Sequence, residues 1–257
     1  MKTRRILLLC VAMVLVLCAL TSCYVKSKGV ISAYTFDSAS NYNVGEVSVD
    51  ASKVKKLVVD WVSGSVKIVY GRTKTIEITE SSKKGKIDED SQLRWVLEGN
   101  KLTIRFMKSG LKLASNLEKD LVVTIPEGMV FSDIAIDTVS ADSIVTVSAE
   151  IFEMENVSGD VSITVDSVDK FTMATVSGDA DLAFGVCPSK LEMDSVSGNC
   201  TVKVPSSSGF TAKISAVSGK IKCSIPGVMS SDKIEVGDGK ANFSLSSVSG
   251  NLTIESI

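Results

Sequence analysis

Histidine is absent from all 257 residues. That absence removes Ser-His-Asp and Cys-His catalysis and every metal site that needs an imidazole. The six cysteines include no Cys-x-x-Cys pair, so they do not read as a zinc site. Aromatic residues are scarce, at two Trp, four Tyr and eight Phe. Phe152, Phe171 and Phe184 fall at inward positions of the alternation described next, and Tyr42, Tyr70 and Trp95, the candidates for surface aromatics, are scattered along the chain. A platform for stacking sugars is therefore not supported, and with it goes the main sequence support for a polysaccharide-active enzyme. No catalytic residue and no cofactor is expected.

What the chain has instead is a phrase, Val-Ser-Gly, at Val62, Val157, Val176, Val196, Val217 and Val248, with a Val-Ser-Ala copy at Val139. From Val139 to Val217 the copies stand 18, 19, 20 and 21 residues apart, a period that signals one structural unit stacked many times. Val161, Ile163 and Val165 follow Gly159 at alternate positions, and Ala180, Leu182 and Phe184 follow Gly178. Polar residues fill the gaps, so each run is a strand with one apolar face. Upstream of the glycines, Phe152 and Met154, Phe171 and Met173, and Leu191 and Met193 form a second alternating run. Each repeat is two short strands joined at a Ser-Gly turn, where glycine reaches positive φ without a Cβ clash and serine forms a hydroxyl ladder or caps the turn. With no helical segment between repeats, the strands must pair rung to rung, giving an all-β solenoid with rungs of about 18–21 residues. One core ladder is expected to read Ile136, Met154, Met173, Met193, Ile214, Ile234.

Lys2, Arg4 and Arg5 precede an apolar run from Ile6 to Leu20, the pattern of a secretory signal. Leu20-Thr21-Ser22-Cys23 resembles the end of a bacterial lipoprotein signal, which implies a signal peptide over 1–22 and lipidation of Cys23. Several acyl chains anchor stably where one is marginal, so the expected address is the extracytoplasmic side of a bacterial cell-envelope membrane. Loss of Lys2, Arg4 and Arg5 takes the basic side chains from 28 to 25, against 30 acidic ones. That balance leaves no footprint for nucleic acid. Cys187, Cys200 and Cys223 remain in the body. On adjacent rungs Cys200 and Cys223 would lie on a diagonal roughly 8 Å long, beyond disulfide reach, and are expected as buried thiols.

Residues 23–45, rich in serine, read as the lipidated N-terminus and a tether, and 46–257 as the solenoid domain. Within it, 46–128 are irregular N-terminal rungs and a cap, with loops at 81–92 and 107–120, and 129–257 are the regular rungs. Asp142, Asp160 and Asp179 follow successive corners; stacked about 5 Å apart they are either turn caps or candidates for a bound cation.

The run Lys56 to Gly64, the Ile125-Pro126-Glu127-Gly128 junction, the serial Val-Ser-Gly rungs and the final Gly237-Asp238-Gly239 and Val248-Ser249-Gly250-Asn251-Leu252 resemble the putative-adhesin family of β-solenoid domains, a domain of unknown function. The likeness covers residues 45 to 257. It implies a single-stranded, right-handed parallel β-helix on secreted or membrane-anchored bacterial proteins, and it supplies no catalytic residues. The expected role is a non-enzymatic, lipid-anchored surface-binding module whose partner is a cell-wall polymer, a host surface or a membrane protein. An accessory or sensory subunit of an envelope-stress system is the alternative from another class.

Overall fold

The computed structural model describes residues 33–113 and 117–257. The signal over 1–22 and the lipidation site Cys23 lie outside the described residues. Apart from two single 3-10 turns, Ala39–Asn41 and Ala51–Lys53, every regular element among the described residues is a strand.

Burial follows the sequence alternation. Along Lys170–Thr175, Phe171, Met173 and Thr175 point inward while Lys170, Thr172 and Ala174 point outward. A rung is a pair of such strands around a glycine corner, as in Lys170–Thr175 with Ala180–Phe184, or Lys190–Ser197 with Cys200–Val204. Each strand bonds its counterpart in the neighbouring rung in parallel: Met154 lies beside Met173 and Met173 beside Met193 in one layer, and Ile163 beside Leu182 and Leu182 beside Val202 in the other. Lys56–Gly71 and Val130–Ser158 run through the corner unbroken, so the two layers form one curled sheet of nineteen strands. The core lies between the layers. Phe152 stacks on Phe171 with centroids 5.1 Å apart, and Phe184 of the opposite layer meets Phe171 edge-on at 5.0 Å. Each such side chain, fully buried, contributes about 1.5–3 kcal/mol.

Serial stacking fails near the C-terminus. Lys190–Ser197 pairs with Ala241–Ser249, which in turn pairs with Phe210–Ser218. In the other layer Cys200–Val204 pairs with Leu252–Ser256, which pairs with Ile221–Cys223. The last rung in sequence is thus wedged between the two that precede it. After Cys223 the chain makes an antiparallel hairpin, Gly227–Met229 with Lys233–Val236, which covers the outer edge of Phe210–Ser218 over residues 210–213 and leaves its inner edge to Ala241–Ser249. The expected core ladder is corrected accordingly: Leu245 stands between Met193 and Ile214, and Ile234 pairs antiparallel with Ala212. Cys200 and Cys223 flank the inserted rung, facing Leu252 and Ile254 respectively, and both are free thiols.

Antiparallel pairing also closes the other end. Arg94–Glu98 returns along Lys101–Arg105, and Thr75–Ser81 bridges Val47–Asp50 and Lys119–Pro126. The tether expected to reach residue 45 ends sooner, because Ala33–Tyr34 pairs with Leu111–Lys112 inside the segment expected to be a loop, and Tyr34 is buried against Phe106. Tyr42, Tyr70 and Trp95 are not free surface rings either; all three are partly exposed and two, Tyr70 and Trp95, pack against the core.

Insertion makes the terminal rung as well paired as any. Amides of residues 243–254 should exchange with solvent as slowly as those of 171–182 in a hydrogen-exchange experiment, whereas a frayed tail would exchange rapidly. Ile254→Asp, close to the chain end, should cost on the order of 3 kcal/mol, and the outward Thr253→Asp under about 1 kcal/mol.

Candidate functional site

Everything on the outer surface is organised by the corner. Gly159, Gly178, Gly198, Gly219 and Gly250 hold φ between +106° and +126°. A Cβ on any of them would lie 1.9–2.3 Å from a carbonyl oxygen of the neighbouring rung. Glycine is required here twice over, by conformation and by contact. Just inside the corner runs a buried polar column, in which Thr138 donates to Asn156 Oδ1 at 2.8 Å and Asn156 Nδ2 donates to the Gly159 carbonyl at 2.9 Å.

The residue after each glycine forms a second column. The Asp160 amide donates to Asp142 Oδ1 at 2.9 Å, the Asp179 amide to Asp160 Oδ1 at 2.9 Å, and the Asn199 amide to Asp179 Oδ1 at 2.7 Å. Asn251 continues it onto Asn199 at 3.2 Å, and Lys220 onto Asn251 at 2.9 Å, following the spatial order of the rungs rather than the sequence. Asp142, Asp160 and Asp179 are therefore aligned as the spacing suggested, but each carboxylate has an oxygen occupied by the next rung's amide. Among the described residues no group of three or more Asp, Glu, Cys or His is arranged to hold a metal. The motif serines do not build the expected hydroxyl ladder; among the described residues only Ser63 donates through its hydroxyl, to the Leu117 carbonyl.

Two residues before each glycine position stands the motif valine, pointing outward in the regular rungs, while Val62 at the N-terminal end also packs against the core cluster. Strand register and backbone bonds place Val62, Val139, Val157, Val176, Val196, Val248 and Val217 in one line. Val139 is 42% and Val217 54% exposed, and the rest are half-buried. Two positions further upstream on the same face runs a third column: Arg105, Asp60, Asp137, then Glu155, Ala174, Asp194, Ser246 and Ser215. Arg105 pairs with Asp60 at 2.5 Å. The face's lysines are engaged elsewhere, Lys56 with Asp133, Lys170 with Glu153 and Lys190 with Glu192. Asp137 and Glu155 have no ion pair among the described residues. Burial, and then the Asp60 and Glu155 carboxylates, push Asp137 up to about 7. Burial raises Glu155 and Asp194 in the same way.

A cavity of about 630 Å³ lies at the N-terminal end and is lined by Glu46, Glu80, Ser82, Lys86 and Gln92 among others. Its one deeply buried acid is already satisfied: Glu80 accepts from Lys119 Nζ and from the Leu93 amide, each at 2.7 Å. Lys119 is fully buried, with Nζ 4.4 Å from the Phe106 ring centre and 4.9 Å from that of Trp61. It occupies the corner column opposite Gly64. Burial lowers its pKa, with Glu80 opposing. This pair fastens the cap and is not a site; no sequence signal distinguished Lys119 from the solvated lysines around it.

A family profile, Toastrack DUF4097, matches residues 54–256. The chain belongs to this family. It is the putative-adhesin domain of unknown function that the Val-Ser-Gly rungs resembled. Among solved structures, a putative cell adhesion protein from Clostridium sporogenes shares the fold at a TM-score of 0.51 and 13% identity, with 84% of this chain and 100% of that one covered. A putative adhesin from Bacteroides fragilis aligns at a TM-score of 0.43 and 12% identity over 84% of this chain and 97% of its own. A putative lipid binding protein from Parabacteroides distasonis aligns at 0.31 and 10%, over 84% and 97%. No curated protein matches.

Two substitutions test the corner and its acids. Gly198→Ala, which must meet the Gly178 carbonyl at 2.1 Å, should cost several kcal/mol in denaturant unfolding, against about 1 kcal/mol for Gly110→Ala, where φ is also positive but no atom lies within 4 Å. Because the fold favours neutral Asp137, this residue's contribution to stability is present below its ordinary value of 3.8 and is lost as pH rises through about 7. Asp137→Asn should therefore stabilise on the order of 2 kcal/mol at pH 8 and hardly at all at pH 4, as read from thermal midpoints.

Proposed function

We propose that the chain is a non-enzymatic, lipid-anchored module of the bacterial cell envelope that binds another macromolecule through the broad faces of a right-handed, single-stranded parallel β-helix. The observation that carries this reading is the distribution of polar groups. They are spread in columns along whole faces, while the cavity at the N-terminal end holds an acid whose partners are already in place. A catalyst concentrates its reactive groups in one pocket; a surface binder repeats modest contacts over an area. Names of solved proteins with this fold, adhesion proteins among them, are consistent with surface binding.

Anchoring rests on the signal and Cys23. Mass spectrometry of the mature chain should find an acylated N-terminal Cys23, and Cys23→Ala should abolish the modification and release a folded body from the membrane. An unmodified wild-type N-terminus elsewhere would overturn the anchoring. Captured on beads, the wild-type chain should retain a specific cell-wall polymer, host-surface molecule or membrane protein. Glycan turnover lost with one carboxylate would replace the binding reading with an enzyme.

A further inference from the structure

The valine line carries more than a corner requires. Glycine and the following Asp or Asn complete the turn, and the residue before the valine points into the core, so a polar residue at the outward valine position would leave the turn intact. Instead valine recurs in every rung from Val62 to Val217. The resulting apolar ridge spans six rung spacings, about 29 Å at about 4.8 Å each.

Its borders are acidic along the rungs of Val139, Val157 and Val176. On one side stand Glu155 and, where it is ionised, Asp137, without ion pairs among the described residues, and on the other Asp142, Asp160 and Asp179 are exposed. The cations of these two columns, Arg105 and Lys220, lie towards the opposite ends. An anionic membrane or nucleic acid would be repelled along this length. A strand would find no free backbone edge there, because both layers are hydrogen-bonded through the ridge. A helix fits: its 5.4 Å pitch is close to the rung spacing, and about 20 residues give about 30 Å. Its apolar stripe would lie on the valines and its flanking lysines or arginines would reach both acid columns.

Resting on the binding-module reading above, we propose that this ridge is the docking surface for a cationic amphipathic helix of a partner protein, laid along the solenoid axis.

The probe is a fluorescein-labelled peptide of 20 residues, leucine on one helical face and lysine on the other, titrated with the purified full chain. A scrambled isomer and a version with glutamate for lysine serve as comparisons. Anisotropy should show the patterned peptide binding at least about tenfold more tightly than either. Exchanging Val157, Val176 and Val196 together for serine should weaken it at least about tenfold. Asp160→Asn with Asp179→Asn keeps the amide caps, as Asn199 does naturally, so the fold is retained while affinity and its salt dependence fall. Thr164→Lys, on the far layer, should change nothing. Equal binding of patterned and scrambled peptides, or binding unaffected by the valine and aspartate variants, would overturn the proposal. So would a self-association of the chain that the valine variants abolish, since the ridge would then belong to a second copy. If the peptide fails but the chain still retains a cell-wall polymer on beads, this inference falls and the wider reading stands; if both fail, both fall.

Discussion

Carbonyl oxygens of one corner lie where the next corner's Cβ would be, and most of the molecule follows from that crowding. A side chain at Gly178 or Gly198 would separate the rungs; without it they close to ordinary strand spacing and lock in register. Register then aligns whatever the repeat carries. Methionines fall on methionines, Phe152 stacks on Phe171, and the Asp or Asn that follows most of the corners caps the amide of the neighbouring rung. The column departs from glycine at two places. Ala141 sits in the unbroken strand Val130–Ser158, without positive φ. Lys119, opposite Gly64, sends its side chain into the cap.

Such columns multiply small effects. One valine on a surface is unremarkable, and one half-buried carboxylate only shifts its own pKa. Seven valines in line form a ridge, and Asp60 and Glu155 on the neighbouring rungs raise the cost of ionising Asp137 between them. Ion pairs relieve the same repulsion elsewhere on this face, where Lys56, Lys170 and Lys190 stand beside acids. Around Asp137 no lysine is placed to do so, and the carboxyl answers by holding its proton up to about pH 7.

Much of the architecture was legible because strand periodicity and the glycine anchor together fix which residues point inward. Met154, Met173 and Met193 line up as read. Periodicity says nothing about which rung is the neighbour. Leu245 and Ile214 suit the same inward slot equally, so the order of the last rungs was hidden, and with it the separation of Cys200 from Cys223. The aspartates after the corners were found, but their hydrogen bonds depend on a neighbour's amide that no local pattern displays. Lys119 was missed for a related reason: its partner Glu80 is 39 residues away and joins it only through antiparallel pairing of the cap. The ridge was present in every copy of the motif, yet the valine reads as part of the turn until the register shows it facing outward.

The wedged terminal rung also limits how this kind of protein can lengthen. An open-ended stack grows by adding a repeat at its last rung, but here the final residues lie between two earlier rungs, and a hairpin covers the outer edge beyond them. A repeat appended after Ile257 could not stack on the strand that precedes it, because Leu252–Ser256 is already paired on both sides. A rung duplicated within the serial stretch between about residues 151 and 204, where sequence order and spatial order still agree, would stack on its own neighbours. The same arrangement orders assembly: the slot beside Lys190–Ser197 is filled only once Ala241–Ser249 has been made, so that seam stays open while the intervening rung forms.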